Sequence, residues 1–148
     1  MTPDSPHNYT ILVVPLEMRA VTEEEQLIQA FFLPERRERY LEFVSSPKRR
    51  RKLLAELAHF KGLDERYKYP IPPAMQTAEG ITNLLRQMGA SPTCLALSDL
   101  REIDGARLAL TDALGTVLGR TFGTFLSCKA GSLAYFENED GRWILLRN

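Results

Sequence analysis

A chain of 148 residues with 44% hydrophobic and 26% charged content has the make-up of one ordinary soluble globular domain. At this length it buries about 68–70% of its unfolded surface and needs no disulfide or metal staple. Nineteen basic and nineteen acidic residues cancel, and a pI near 6.7 argues against a dedicated DNA binder.

Residues 1–7 read as a loose polar tail, without the basic start and apolar stretch of a signal peptide, and the expected location is cytoplasmic. Tyr9 to Glu17 follows as a first strand, with Pro15 suiting an edge or an end. It holds the longest apolar run, Ile11 to Leu16, far short of the about 20 residues that span a bilayer. No membrane association is expected.

Thr22-Glu23-Glu24-Glu25 is a capping box, and its acids suit the positive end of a helix dipole. Leu27, Ile28 and Phe31 form the apolar stripe behind it. Pro34 opens a second helix running to about Val44. Ser46-Pro47 opens a third, striped by Leu53, Leu54, Leu57 and Phe60 and ended by Gly62. Asp64 to Gln76, with three prolines, reads as an extended connection and the best seam between a helix-rich part (22–62) and a mixed part (77–148).

Thr77 caps a fourth helix, in which Ile81, Leu84, Leu85 and Met88 repeat with helical spacing until Gly89 stops it. Thr93 to Leu97 is a strand. Asp104-Gly105 turns into a short extended piece at Leu108 to Leu110, and Thr111 caps a short helix. Thr124 to Cys128 is a strand. Leu133 to Glu137 and Arg142 to Leu146 pair as a hairpin across Asn138 to Gly141, with Tyr135, Phe136, Trp143 and Ile144 filling both faces. Helices first and an antiparallel meander last predict a single α+β domain, with N-terminal helices beside a mostly antiparallel sheet of four to five strands.

The distribution of charge is more informative than its sum. The window Glu35 to Lys68 carries eleven bases and six acids, about +5, and the remaining residues carry the opposite excess. Its peak is Lys48-Arg49-Arg50-Arg51-Lys52, in the first turns of the third helix. Cations there oppose the helix dipole, which a bound anion would offset, since free N–H groups and guanidinium forks both favour phosphate or carboxylate. Arg36 and Arg37 extend the candidate surface. Arg49 and Arg50 lie nearest the apolar stripe and are expected to matter most. The alternative is a solvated charge run, paired with Glu35, Glu38 and Glu42 of the preceding helix.

Other chemistries have cheaper explanations. Glu56 and His59 form one carboxylate–imidazole pair, whereas a di-iron bundle needs two plus further carboxylates. Asp99, Glu102, Asp104 and Asp112 could hold Mg²⁺, but turns and caps use the same residues. Cys94 and Cys128 sit in apolar strands and read as buried reduced thiols; a bridge would require adjacent strands. Gly115, Gly119 and Gly123 do not make a phosphate-cradling loop. No catalytic residue, metal site or cofactor is therefore assigned.

The expected function is a non-enzymatic interaction or regulatory protein whose basic helical surface meets an acidic partner, an acidic protein surface or a nucleic acid. The first alternative is a nucleic-acid-binding module, with Tyr40, Tyr67 and Tyr69 as stacking surfaces beside the basic residues. The second is a small enzyme or ligand sensor with a pocket between helices and sheet. The dipolar charge also allows salt-sensitive self-association.

Overall fold

In the computed structural model, which describes residues 21–148, the reading of the N-terminal helices meets its physical basis at once. The first predicted strand and the tail lie outside the described residues. Helix α1 (Glu23–Phe31) starts at the full capping box: the Glu25 amide donates to Thr22 Oγ1 at 3.1 Å and the Thr22 amide donates to Glu25 Oε1 at 2.8 Å. It ends at Phe32, which turns extended and bridges to Leu63. Pro34 begins a 3₁₀ turn, Pro34–Arg36, that leads into α2 (Arg37–Val44).

Helix α3 (Pro47–Glu56) has Ser46 as its cap and Pro47 in its first turn. It stops short of the predicted end at Gly62, passing into a 3₁₀ turn at Leu57–His59. The neighbouring β-turn explains the change. Asn138 Nδ2 donates to the Leu57 carbonyl at 3.1 Å, and the Glu139 amide donates to the Ala58 carbonyl at 3.3 Å. The Leu57 carbonyl thus takes a cross-chain donor in addition to the 3₁₀ bond from the Phe60 amide at 3.3 Å, and the Ala58 carbonyl takes one from the hairpin turn.

The expected connection at 64–76 holds a strand of its own, β1 (Lys68–Pro70), with Pro70 at its end. Helix α4 (Ala78–Gln87) follows the predicted Thr77 cap. Then come β2 (Thr93–Ser98), β3 (Arg107–Ala109), α5 (Leu110–Val117), β4 (Gly123–Lys129), β5 (Leu133–Asn138) and β6 (Gly141–Leu146). Thr111 does not cap α5. The helix begins directly from β3, Ala109 takes the cap position without a side-chain bond, and the Leu110 amide is held by the Pro92 carbonyl at 2.9 Å.

All pairings are antiparallel, and the order is β1-β6-β5-β4-β2-β3. Among the described residues the sheet has six strands against the four to five expected, because the short strand β1 joins β6. Helices cover both faces. On one face α1, α2 and α3 close over Phe125, Phe136 and Leu97, with Phe32, Tyr40 and Phe60 adding a cluster of tilted and edge-on rings. On the other, Ile81 and Leu85 of α4 and Leu114 and Val117 of α5 cover Cys94, Ala96, Leu126 and Tyr135. Strand alternation sorts the residues: Phe125 faces the first core and Leu126 the second. No helix among the described residues is long and apolar enough to cross a membrane.

Candidate anion-binding face

The cap of α3 sets the geometry of the basic run. The Arg49 amide donates to Ser46 Oγ at 3.5 Å and the Arg50 amide to the Ser46 carbonyl at 2.7 Å, so five consecutive cations wind around the first two turns. Their directions differ sharply.

Arg50 turns inward and commits four of its five N–H donors. Its Nε and Nη2 fork onto Asp104 at 2.8 and 2.9 Å, and its Nη1 and Nη2 fork onto Glu24 at 2.7 and 2.5 Å. Asp104 lies in the β2–β3 turn and also accepts the Ser98 amide at 3.0 Å. Glu24 belongs to the first turn of α1, where its charge already suits the dipole. One guanidinium thus ties α3, α1 and the sheet together. The paired carboxylates raise the Arg50 pKa well above its ordinary value, chiefly through these hydrogen bonds. The sequence expectation gave Arg50 a leading place in anion binding; in the structure its donors are spent on internal carboxylates.

Arg49 leans toward α2 and meets Glu42 at 3.2 Å, with both side chains more than half exposed. Such a pair is worth about 0–1 kcal/mol. Lys48, Arg51 and Lys52 are exposed and have no ion-pair partner among the described residues. Arg36 and Arg37 stand apart from them. Helices α2 and α3 are antiparallel, since Arg39 and Tyr40 near the start of α2 meet Glu56 at the end of α3. Arg37 donates from Nε to the Phe32 carbonyl at 3.0 Å, while Arg36 borders a shallow hollow of about 360 Å³ with His59 and Lys61. Helical geometry therefore puts Lys48 and Lys52 on the outer ridge of α3 with Arg49 and Arg51 on its two flanks, and leaves Arg36 and Arg37 at the other end of the hairpin.

The tyrosines suggested as stacking surfaces do not flank this ridge. Tyr40 is buried, its hydroxyl donating to Glu56 at 2.8 Å, and burial raises its pKa. Tyr67 lies under the guanidinium groups of Arg66 and Arg147. Tyr69 is exposed on the edge strand β1.

The remaining candidates fall into structural roles. Glu56 serves Tyr40 and Arg39, while His59 turns to Asp140 at 3.2 Å. Asp99 accepts the amides of Phe122 and Gly123 at 3.1 and 3.2 Å. Asp112 sits in the first turn of α5, and Glu102 is exposed. Cys94 and Cys128, on the adjacent strands β2 and β4, are buried free thiols in one core. Burial pushes Cys94 up to about 12 and Cys128 higher still.

Sequence reasoning missed the floor of a polar cleft of about 440 Å³ between α5 and the β5–β6 turn. Glu137, only 3% exposed, accepts the Tyr135 hydroxyl at 2.7 Å and the Gly119 amide at 2.6 Å, with Arg142 at 3.6 Å. Burial raises the Tyr135 pKa, and Glu137 adds to the shift. Alternation along β5 places Glu137 on the same face as Tyr135, but nothing local tells that α5 and its following turn cover this strand end. Both Glu137 oxygens are engaged by the protein's own donors, so the arrangement fixes the turn at Gly119. Comparison with protein-family models, with curated proteins and with solved structures returns no match for this chain.

Proposed function

We propose that this protein is a non-enzymatic interaction or regulatory protein, and that the outer ridge of α3 is where it meets an acidic partner. The observation that carries the reading is the split within the basic run. Arg50 locks the helix to the body of the domain, while Lys48, Arg51 and Lys52 project outward with no carboxylate to neutralise them among the described residues.

A fixed scaffold matters here. Long cationic side chains on a mobile segment lose much of their attraction to ordering costs, whereas a ridge on an anchored helix keeps its charges together. The first turn of α3 contains no acid, so its dipole adds to the same positive field. Arg49 can exchange Glu42 for a partner's carboxylate at little cost, because the exposed pair is weak.

The test uses a protein whose total charge is zero, so retention on a polyanion reports a local patch. The wild type is expected to bind immobilised polyglutamate at low salt and to elute as salt rises. The combined variant Lys48→Glu, Arg51→Glu and Lys52→Glu should flow through with an unchanged circular dichroism spectrum. Equal retention of both proteins, or none by the wild type, would sink the reading.

A further inference from the structure

The register of β2 and β4 brings the two buried thiols together. Leu95 pairs with Ser127 across these antiparallel strands. One residue further along each strand stand Cys94 and Cys128. Ser127 turns to Glu23 on the α1 side, so alternation sends Cys128 to the other face. Cys94 joins it there, in the core beneath α4 and α5 with Ala96, Leu126 and Tyr135.

Backbone hydrogen bonds fix how the pair is opposed. The Ala96 amide donates to the Ala106 carbonyl at 3.0 Å, and the Gly105 amide to the Ala96 carbonyl at 2.8 Å. Ala96 therefore spends its backbone groups on the β3 side, and Cys94, two residues earlier, does the same. Toward β4, Cys94 holds a non-hydrogen-bonded position, where opposed Cα atoms lie about 4.5 Å apart. The register of β4 with β5 shifts between Ser127 and Lys129, which makes Cys128 the bulged residue. Its carbonyl still accepts the Ser91 amide at 2.8 Å, so the two chains stay together past the cysteines. A disulfide takes Cα atoms about 4.4–6.8 Å apart, and this register falls within that range. The thiols also sense each other, since charge on Cys94 raises the Cys128 pKa further. No base activates them: His59 turns to Asp140 at the β5–β6 turn. Cys128 Sγ makes only a weak contact to the Leu126 carbonyl at 3.4 Å.

We infer that Cys94 and Cys128 form a redox-set staple: the chain that folds in the presence of a small-molecule disulfide joins β2 to β4 through them, and the chain that folds in a reducing pool keeps both as thiols. One cysteine thiolate attacks a sulfur of the small disulfide, forms a mixed disulfide and releases one small thiolate. The second cysteine, as thiolate, then attacks the protein sulfur of that mixed disulfide and releases the other. Two protein thiols are oxidised, one small disulfide is reduced to two thiols, and the two protons pass to the released thiolates. The exchange belongs to folding because burial in the native state suppresses both thiolates, pushing Cys94 up to about 12 and Cys128 higher. The bridge encloses residues 95–127, which hold β3, α5 and Asp104, the carboxylate that anchors Arg50 of α3. Closing so long a loop removes freedom from the unfolded chain.

The experiment refolds the full chain from urea in a mixture of oxidised and reduced glutathione. The product should keep the native circular dichroism spectrum, show no titratable thiol when denatured, and weigh two hydrogens less than the reduced protein. A digest without reductant should join the peptides that hold Cys94 and Cys128. The bridged protein should unfold at a urea midpoint about 1–2 M above that of the dithiothreitol-reduced protein. Cys94→Ser and Cys128→Ser should each show the same midpoint with and without reductant. Where refolding is inefficient, equilibrating the reduced protein with the same mixture at its urea midpoint, then removing urea, gives the same readouts. A native product with both thiols free overturns the inference. So does glutathione left attached to either cysteine, or a bridged protein no more stable than the reduced one.

Discussion

Replacing Arg50 with methionine tests whether one buried guanidinium holds the helical layer to the sheet. The substitution removes four charge-assisted hydrogen bonds and leaves Glu24 and Asp104 facing each other's charge. Asp104 keeps only the Ser98 amide from this network. The three side chains are 16–17% exposed, so solvent can relieve part of the penalty. Breaking a buried pair costs about 3–5 kcal/mol, and this exposure sets the expectation near the lower end, about 3 kcal/mol. With a urea m-value of about 2 kcal/mol/M, the unfolding midpoint should fall by about 1.5 M. Arg50→Lys keeps the charge but cannot fork onto two carboxylates, and should lose about half as much. Adding Glu24→Gln and Asp104→Asn to Arg50→Met should recover part of the loss, because no charge is then left unpaired. Lys52→Met is the control and should shift stability by no more than about 0.5 kcal/mol. A midpoint shift for Arg50→Met no larger than the control's, or no recovery in the triple variant, would refute the reasoning.

Four further outcomes follow from local geometry. Gly123→Ala places a Cβ 2.3 Å from Leu57 Cβ and 2.8 Å from its carbonyl carbon, and should cost about 1–3 kcal/mol or more. Gly115→Ala in α5 meets nothing within 4 Å and should stabilise by up to about 1 kcal/mol, so thermal melts of the two variants should move in opposite directions. Cys94 and Cys128 should resist a thiol reagent at neutral pH and react only on unfolding, because burial holds both as thiols; rapid labelling of the native protein would contradict their placement. The fork from Arg66 holds the Asp64 carboxyl below its ordinary 3.8. A depressed folded pKa gives stability that is complete above 3.8 and lost as pH falls through the folded value. The stability gap between wild type and Asp64→Asn should therefore narrow on acidification below 3.8, and a gap constant with pH would argue against the ion pair.

The sequence by itself determined the elements whose signals are local. Thr22 with Glu25, Pro34, Ser46-Pro47 and Thr77 mark helix starts by chemistry that acts within one turn. The last hairpin follows from alternation and a turn, and its register pairs Tyr135 with Ile144 and Phe136 with Trp143. The concentration of bases at Lys48 to Lys52 was equally plain. Tertiary structure decided the rest. Strand β1 exists because β6 offers it an edge, and α3 passes into a 3₁₀ turn where Asn138 and Glu139 reach the Leu57 and Ala58 carbonyls. Whether a cation is free or spent depends on which carboxylates the fold delivers. Arg50 and Arg51 are alike in sequence, yet one meets Glu24 and Asp104, 26 and 54 residues away, and the other projects into solvent. Helical periodicity gives a residue's angle around its own axis, but the partners waiting at that angle come from segments that only folding brings near.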